Sequence, residues 1–199
     1  MSKVIALMSM SLDGFVADPD DGVDELFDWY FAGDVAVPTP STTSDFTFRA
    51  SAPSADHLRN LMAEVGAMLT GRRTFERADE LGRPAPVGGA RLRRHPPRAG
   101  RLAARRLDGP LRDDGLESAV ARAKEAAGPR SVGVHGARTI QQLLNLGLLD
   151  EIHVDLAAVL MGAGVRLFDN LASAPVVLGD PTVVAGVGVT HLRYPVRTA

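Results

Sequence analysis

Two short stretches place phosphate-binding chemistry where an apolar run turns into a helix. Gly71-Arg72-Arg73-Thr74 follows Ala67-Met68-Leu69-Thr70 and leads into Phe75-Glu76-Arg77. A strand that ends in Gly and opens a helix with two Arg and a Thr aims backbone N–H groups, a hydroxyl and two guanidinium forks at one point, which suits a phosphate. Ser131-Val132-Gly133-Val134-His135 repeats the arrangement, running into Gly136-Ala137-Arg138-Thr139 and the helical Ile140-Gln141-Gln142-Leu143-Leu144. Gly133 and Gly136 allow close backbone approach, and the new helix points its positive end at whatever sits there. Two anion sites in one chain predict one ligand with several phosphates, such as a dinucleotide. The plainer readings are solvated arginines and a tight turn. Among the 22 basic residues only Lys3 and Lys124 are lysines, so an isolated arginine carries little weight.

A third candidate is Asp13, in Ser11-Leu12-Asp13-Gly14 after the buried-strand pattern Val4 to Met10. Two readings stand open for it: its side chain closes the turn, or it orients a substrate or relays a proton. The five histidines, His57, His95, His135, His153 and His191, show no ligand spacing, and His153 and His191 read as structural strand residues, so no metal is expected. Asp18-Pro19-Asp20-Asp21-Gly22 lacks both the alternating ligands and the closing Glu of a calcium loop.

The elements that must hold these residues follow from periodicity. A short helix or turn with an aromatic face is expected over 24–31, then a long Pro/Ser/Thr-rich loop over 32–53. Ala55, Leu58, Leu61, Met62 and Val65 fall at helical spacing, with Ser54 placed to cap the helix that feeds strand 67–70. Asp114-Gly115-Leu116-Glu117 reads as a capping box opening a helix that Gly128-Pro129 ends. Strand 131–135, helix 137–146 and strand 150–160 continue a βαβ rhythm. Alternating runs at 176–178, 182–184 and 187–194 predict a closing antiparallel hairpin.

At 199 residues, 45% apolar and 23% charged, the composition is that of one soluble domain. A net charge of −2 gives no general argument for nucleic acid. The absence of Cys excludes disulfides, thiolate nucleophiles and the usual zinc sites. With no apolar run long enough for a signal peptide or a membrane span, the expected location is cytoplasmic.

One stretch departs from the rest. Residues 83–112 hold nine Arg against a single Asp, a local charge of +8 that leaves −10 for the remainder, together with five Pro, five Ala and four Gly. Three readings compete: a solvated basic loop, an arm for an anionic ligand or nucleic acid, or a piece read in a shifted frame from GC-rich DNA.

Ser11-Leu12-Asp13-Gly14-Phe15-Val16-Ala17, Gly71-Arg72-Arg73-Thr74-Phe75-Glu76 and Val134-His135-Gly136-Ala137-Arg138-Thr139-Ile140-Gln141-Gln142-Leu143 occur in the order found in the dihydrofolate-reductase-like superfamily. The chain most resembles the branch containing the reductase domain of the bifunctional riboflavin-biosynthesis deaminase/reductase and its stand-alone relatives. Leu148 to Val154, Val159 to Gly164 and Arg166-Leu167-Phe168 continue the likeness, which covers about 1–82 and 113–195. The resemblance implies a single three-layer α/β/α domain over 1–199, with a mixed, mainly parallel sheet and a C-terminal antiparallel hairpin.

It also implies an NADPH-type cofactor, with Arg72 or Arg73 near the adenosine 2′-phosphate, Thr74 near the pyrophosphate, and Gly71, Gly133, Gly136, Ala137, Arg138 and Thr139 around the diphosphate. Val16 and Ala17 would offer backbone contacts near the nicotinamide, with Asp13 as the candidate catalytic group. Two guanidinium groups favour a phosphorylated ribose over a bare diol. The expected activity is reduction of a small heterocyclic or ribosyl-bearing substrate, by a homodimer joined through its C-terminal strands. No zinc deaminase accompanies it, because His-x-Glu and paired Cys motifs are missing. The alternative is a non-catalytic nucleotide- or nucleic-acid-binding protein that uses 83–112.

Overall fold

The structure, a computed structural model, describes residues 2–38, 47–71 and 115–197. Its elements in chain order are β1 (Val4–Ser11), β2 (Phe15–Ala17), a 3-10 helix (Glu25–Phe31), β3 (Val35–Pro38), β4 (Thr47–Ala50), α1 (Ala52–Glu64) and β5 (Val65–Thr70). Then follow α2 (Gly115–Ala127), β6 (Ser131–His135), α3 (Ala137–Asn145), β7 (Glu151–Ala157), β8 (Val165–Arg166), β9 (Thr182–Ala185) and β10 (Val189–Pro195). Six strands form one sheet in the order β5-β6-β1-β7-β10-β9.

The first four strands of that order run parallel, and β10 and β9 close the sheet antiparallel. β1 is central, paired with β6 through Val4↔Val132 and with β7 through Ile5↔Glu151. Strands covered on both faces read as unbroken apolar runs, and Val4, Ile5, Ala6 and Leu7 are all buried.

The two faces differ. On one, Val4, Ala6, Val132, Val134, Ile152 and Val154 pack against Ala119, Val120 and Ala123 of α2 and Ile140 and Leu143 of α3. Each such large side chain contributes about 1.5–3 kcal/mol by leaving water. On the other, a smaller cluster of Trp29, Val37, Phe48, Ala55, Leu58 and Val189 joins α1, the 3-10 helix and the β3–β4 hairpin. Gly147, in the left-handed region at φ +66, ends α3.

Four sequence expectations need correction. The stretch 32–53 is not all loop: β3 and β4 pair as Val35↔Ala50 and Val37↔Phe48, since Val37, Phe48 and Ala50 alternate inward. Helix α1 begins earlier than expected, with extended Ser51 at its cap position and a Pro in its first turn, which leaves Ser54 buried inside the helix. β7 stops at Ala157, where the Ala158 N–H turns to the Gly188 carbonyl. The run 176–178 supplies only an isolated bridge, Leu178 to Val196. Asp18 Oδ1 accepts the N–H groups of Asp20 and Gly22, both at 2.7 Å, so that carboxylate closes its own loop. No helix among the described residues is long and apolar enough to cross a membrane.

Candidate functional site

The parallel strands β1, β5, β6 and β7 end along one edge, at Ser11, Thr70, His135 and Ala157. Ligands of open α/β sheets bind outside such carboxyl ends. Here the two glycine turns meet. The Gly71 N–H donates to the His135 carbonyl at 3.3 Å, and a Cβ added to Gly71 would lie 2.7 Å from Thr139 Oγ1. Gly136 sits at φ +98, a conformation that favours glycine, and the helix it opens carries no side-chain cap. Ala137 and Thr139 are buried at the start of α3, while Arg138 is exposed.

Gly133 has a different setting. It lies within β6, beside Ile5 and Met68, and a Cβ there would press on Met68 Sδ and Leu7 Cδ1 at 2.5 and 2.7 Å. Close sheet packing is reason enough for a glycine at that position. Arg72, Arg73 and Thr74, together with 83–112 and Asp114, lie outside the described residues.

Asp13 joins the turn after β1 to the loop after β7. Its Oδ1 accepts the Ser11 hydroxyl at 2.6 Å and the Met161 N–H at 3.1 Å, and its Oδ2 accepts the Gly162 N–H at 2.7 Å. The Ser11 hydroxyl foremost, with the two N–H groups, outweighs partial desolvation and holds the carboxyl down at about 2. An acid with that pKa is ionised at neutral pH. The Ser11 hydroxyl also accepts the Phe15 N–H at 2.9 Å, which fixes the start of β2.

Val16 is buried against the apolar face, and Ala17 pairs with Val165 across β2 and β8. Arg166 lies over the Phe15 ring, 4.6 Å from its centre. Sequence reasoning missed Gln141, whose Nε2 donates to the carbonyls of Arg166 and Leu167 at 3.2 and 3.0 Å and so ties α3 to β8. Its signal was a polar residue on the inward face of an amphipathic helix.

Beside this edge lies a cavity of about 270 Å³, lined by Glu25, Asp28, Trp29, Ala32, Ala158, Val159 and Gly188. The Val159 carbonyl accepts the Leu12 N–H at 2.9 Å, so the Asp13 turn and the cavity wall are directly linked.

Polar side chains also gather under α1. Asp155 on β7 faces its register partner His191 on β10, with His191 Nδ1 2.7 Å and His57 Nε2 3.1 Å from Asp155 Oδ1. Although burial alone would raise it, the two imidazoles hold the Asp155 carboxyl below its ordinary value. Two residues back along β7, His153 Nε2 lies between Glu151 Oε2 at 2.8 Å and Arg193 Nε at 2.6 Å, and Arg193 also pairs with Glu64. His153 and His191, expected as structural strand residues, belong to two buried clusters. The visible signal was the alternation Glu151, His153, Asp155, which puts three ionisable groups on one face of a strand.

A family model described as the RibD C-terminal domain matches residues 2–196. No curated protein matches the chain. Among solved structures, a Shewanella sp. PV-4 protein described as a riboflavin biosynthesis protein superposes with a TM-score of 0.60 at 20% identity, covering 98% of this chain and 99% of that one. The Saccharomyces riboflavin biosynthesis reductase Rib7 gives 0.56 at 15% identity, covering 98% and 90%. A deaminase/reductase from Thermotoga maritima also gives 0.56, at 11% identity, and this chain spans 57% of its length. These likenesses agree with the mixed, mainly parallel sheet described above.

Proposed function

The chain belongs to the RibD C-terminal domain family, and from that premise we propose that it is an NADPH-dependent reductase delivering a hydride to a small heterocyclic or ribosyl-bearing substrate. Family membership points to a reductase of the riboflavin-pathway type. The observation that carries the finer reading is the meeting of Gly71 with His135 and Thr139 at the carboxyl edge of the sheet. One extended polyanion can span two glycine turns that touch.

The fit to such a group is a matter of room and polarity. Gly71 lies close against Thr139, Gly136 takes a glycine-favouring conformation at the turn, and α3 opens without a side-chain cap to compete for its N–H groups, which supports a phosphate there. In this reading Gly136, Ala137, Arg138 and Thr139 hold the diphosphate, and Arg72 or Arg73 holds the 2′-phosphate with Thr74 beside the pyrophosphate. Gly71 contributes close backbone approach, and Val16 and Ala17 offer main-chain contacts toward the ring. When bound, the cofactor supplies a hydride from C4 of its nicotinamide.

The protein's own share is alignment and exclusion of water. Asp13, ionised and accepting three hydrogen bonds, orients the 158–164 loop against the β1 turn and keeps the cavity wall at Val159 in place. A carboxyl held at about 2 is a poor proton donor near neutrality, so the proton for the reduced atom comes from bound water. Glu25 and Asp28 at the cavity are suited to the N–H groups of a nitrogen heterocycle. Homodimerisation through the C-terminal strands completes the proposal, with β9 as an edge strand bearing the exposed Val183.

NADPH titration followed by fluorescence quenching, with consumption in the presence of carbonyl or pterin-type substrates, tests the reading. Gly136→Asp adds bulk and negative charge at the turn and is expected to weaken NADPH binding by at least about tenfold. Unchanged affinity in that variant would remove the α3 turn from the cofactor site.

A further inference from the structure

The cluster beneath α1 is separate from the carboxyl edge, and its atoms have the composition and spacing of a metal-ligand set. We propose that His57, Asp155 and His191 bind one divalent first-row transition ion, of the zinc class. Three elements distant in sequence each supply one donor atom: α1 gives His57 Nε2, β7 gives Asp155 Oδ1 and β10 gives His191 Nδ1. All three lie within 4.8 Å of one another. The carboxylate oxygen is 2.7 Å from one imidazole nitrogen and 3.1 Å from the other. Ligands at about 2.0–2.1 Å on a tetrahedral ion stand about 3.3 Å apart. To admit the ion the 3.1 Å contact would open by about 0.2 Å and the 2.7 Å contact by about 0.6 Å, with the His57 ring turning out of its stack on His191.

The donor chemistry selects the class. Two imidazoles with one carboxylate suit zinc and its neighbours, whereas calcium and magnesium require mostly oxygen. The remaining ring nitrogen of His191 is already committed: its Nε2 lies 2.9 Å from Ser54 Oγ, which in turn lies 3.0 Å from Ser51 Oγ. Ser51 donates to Ser54, so without metal the Ser54 hydroxyl donates to Nε2 and Nδ1–H donates to Asp155; an ion would take the place of that Nδ1 proton, with Ser54 turning to accept from Nε2–H and so fix the tautomer. Trp29 stands edge-on to the His191 ring at 5.0 Å and holds it in place, whereas the His57 ring stacks on His191 at 4.0 Å, so the part-exposed His57 is the ligand that must swing to meet the ion.

The neighbouring Ser54, His191 and Asp155 also have the hydrogen-bond order of a nucleophile, base and orienting acid. Acyl transfer is excluded there, because Ser54 is 1% exposed and its hydroxyl abuts Gly186, leaving no room for a substrate. A bare ion has no such demand. The His57 side chain is 19% exposed, against 1% for His191, which makes the α1 side the entry. Three protein ligands leave further positions for water. Bound there, the ion would fasten α1 to β7 and β10, adding to the apolar packing of Ala55 and Leu58 with Val189 and to the Glu64–Arg193 pair.

The test uses the full chain stripped with a chelator, then titrated with Zn²⁺ against a competing chelator and with Co²⁺ by visible absorption, alongside thermal unfolding. One Zn²⁺ per chain is expected, with a Co²⁺ spectrum of low-symmetry coordination and a higher melting temperature. His57→Ala, at the part-exposed position, should keep its fold and lose affinity by more than the about 10–100-fold that removal of an outer-shell partner produces. Ser54→Ala should fall within that 10–100-fold window. Absence of stoichiometric binding, or binding that His57→Ala leaves unchanged, would overturn the proposal and reduce the cluster to a hydrogen-bonded network.

Discussion

The two faces of the central sheet use the same strands for opposite chemistries. Along β7, Ile152 and Val154 turn to α2 and α3, while Glu151, His153 and Asp155 turn to α1. β10 carries His191 and Arg193 on that same polar side, and β1 adds Ser9, whose hydroxyl accepts the Trp29 indole N–H at 3.3 Å. The apolar face stabilises by area alone and is indifferent to direction. The polar face is stable only when every donor has its acceptor, so loss of one member there strands the others.

Breaking the polar face at its centre should have the largest effect. Asp155→Ala leaves the buried His191 and the part-exposed His57 without their shared acceptor and is expected to cost about 3–5 kcal/mol in urea unfolding. If the loss is below about 1 kcal/mol, the face is not a closed network. Joint replacement of Asp155 and His191 by leucine should recover part of that loss, since it removes the buried charged pair, with the part-exposed His57 left to water and Ser54 keeping only Ser51. On the other side, Ile140→Ala, at a fully buried position, should cost about 2–5 kcal/mol and add to Asp155→Ala without coupling. Strong non-additivity would mean that the faces communicate through the sheet.

Acid should expose a further difference. Burial, against the opposing charge of Asp155, lowers the His135 imidazole from 6.5 to about 4. The unfolded chain therefore takes up a proton that the folded chain refuses, so this contribution is intact above about pH 6.5 and declines as pH falls toward about 4. His135→Gln should flatten that stretch of the stability profile. Asp13, held at about 2, should contribute no inflection to the pH dependence of activity between pH 5 and 8. Asp13→Asn is expected to leave the melting curve nearly unchanged while lowering kcat/KM by up to about 10²-fold through a misplaced loop. An equal fall in every substrate's kcat with KM untouched would instead mark Asp13 as acting only in the transition state.

Much of the apolar face was legible in the sequence. β1, β6 and α3 announce themselves through an unbroken apolar run, a short strand followed by Gly, and a 3.6-residue rhythm, and the edge they form follows from the βαβ order. The β3–β4 hairpin was hidden because its inward residues, Val37, Phe48 and Ala50, stand among Pro, Ser and Thr that read as loop. The Asp13 clamp could be suspected from a turn, but its partners Met161 and Gly162 lie 148 and 149 residues away. His57, Asp155 and His191 share no spacing at all. Their meeting depends on the register of β7 against β10 and on where α1 crosses the sheet, neither of which a single sequence fixes.

One joint has no slack. Helix α1 ends at Glu64 and β5 begins at Val65, with no intervening residue. Insertion or deletion of one residue there would turn each β5 side chain to the opposite face and shift Gly71 by about 3.3 Å along the strand, away from Thr139. Tolerated length variation must therefore fall outside this joint.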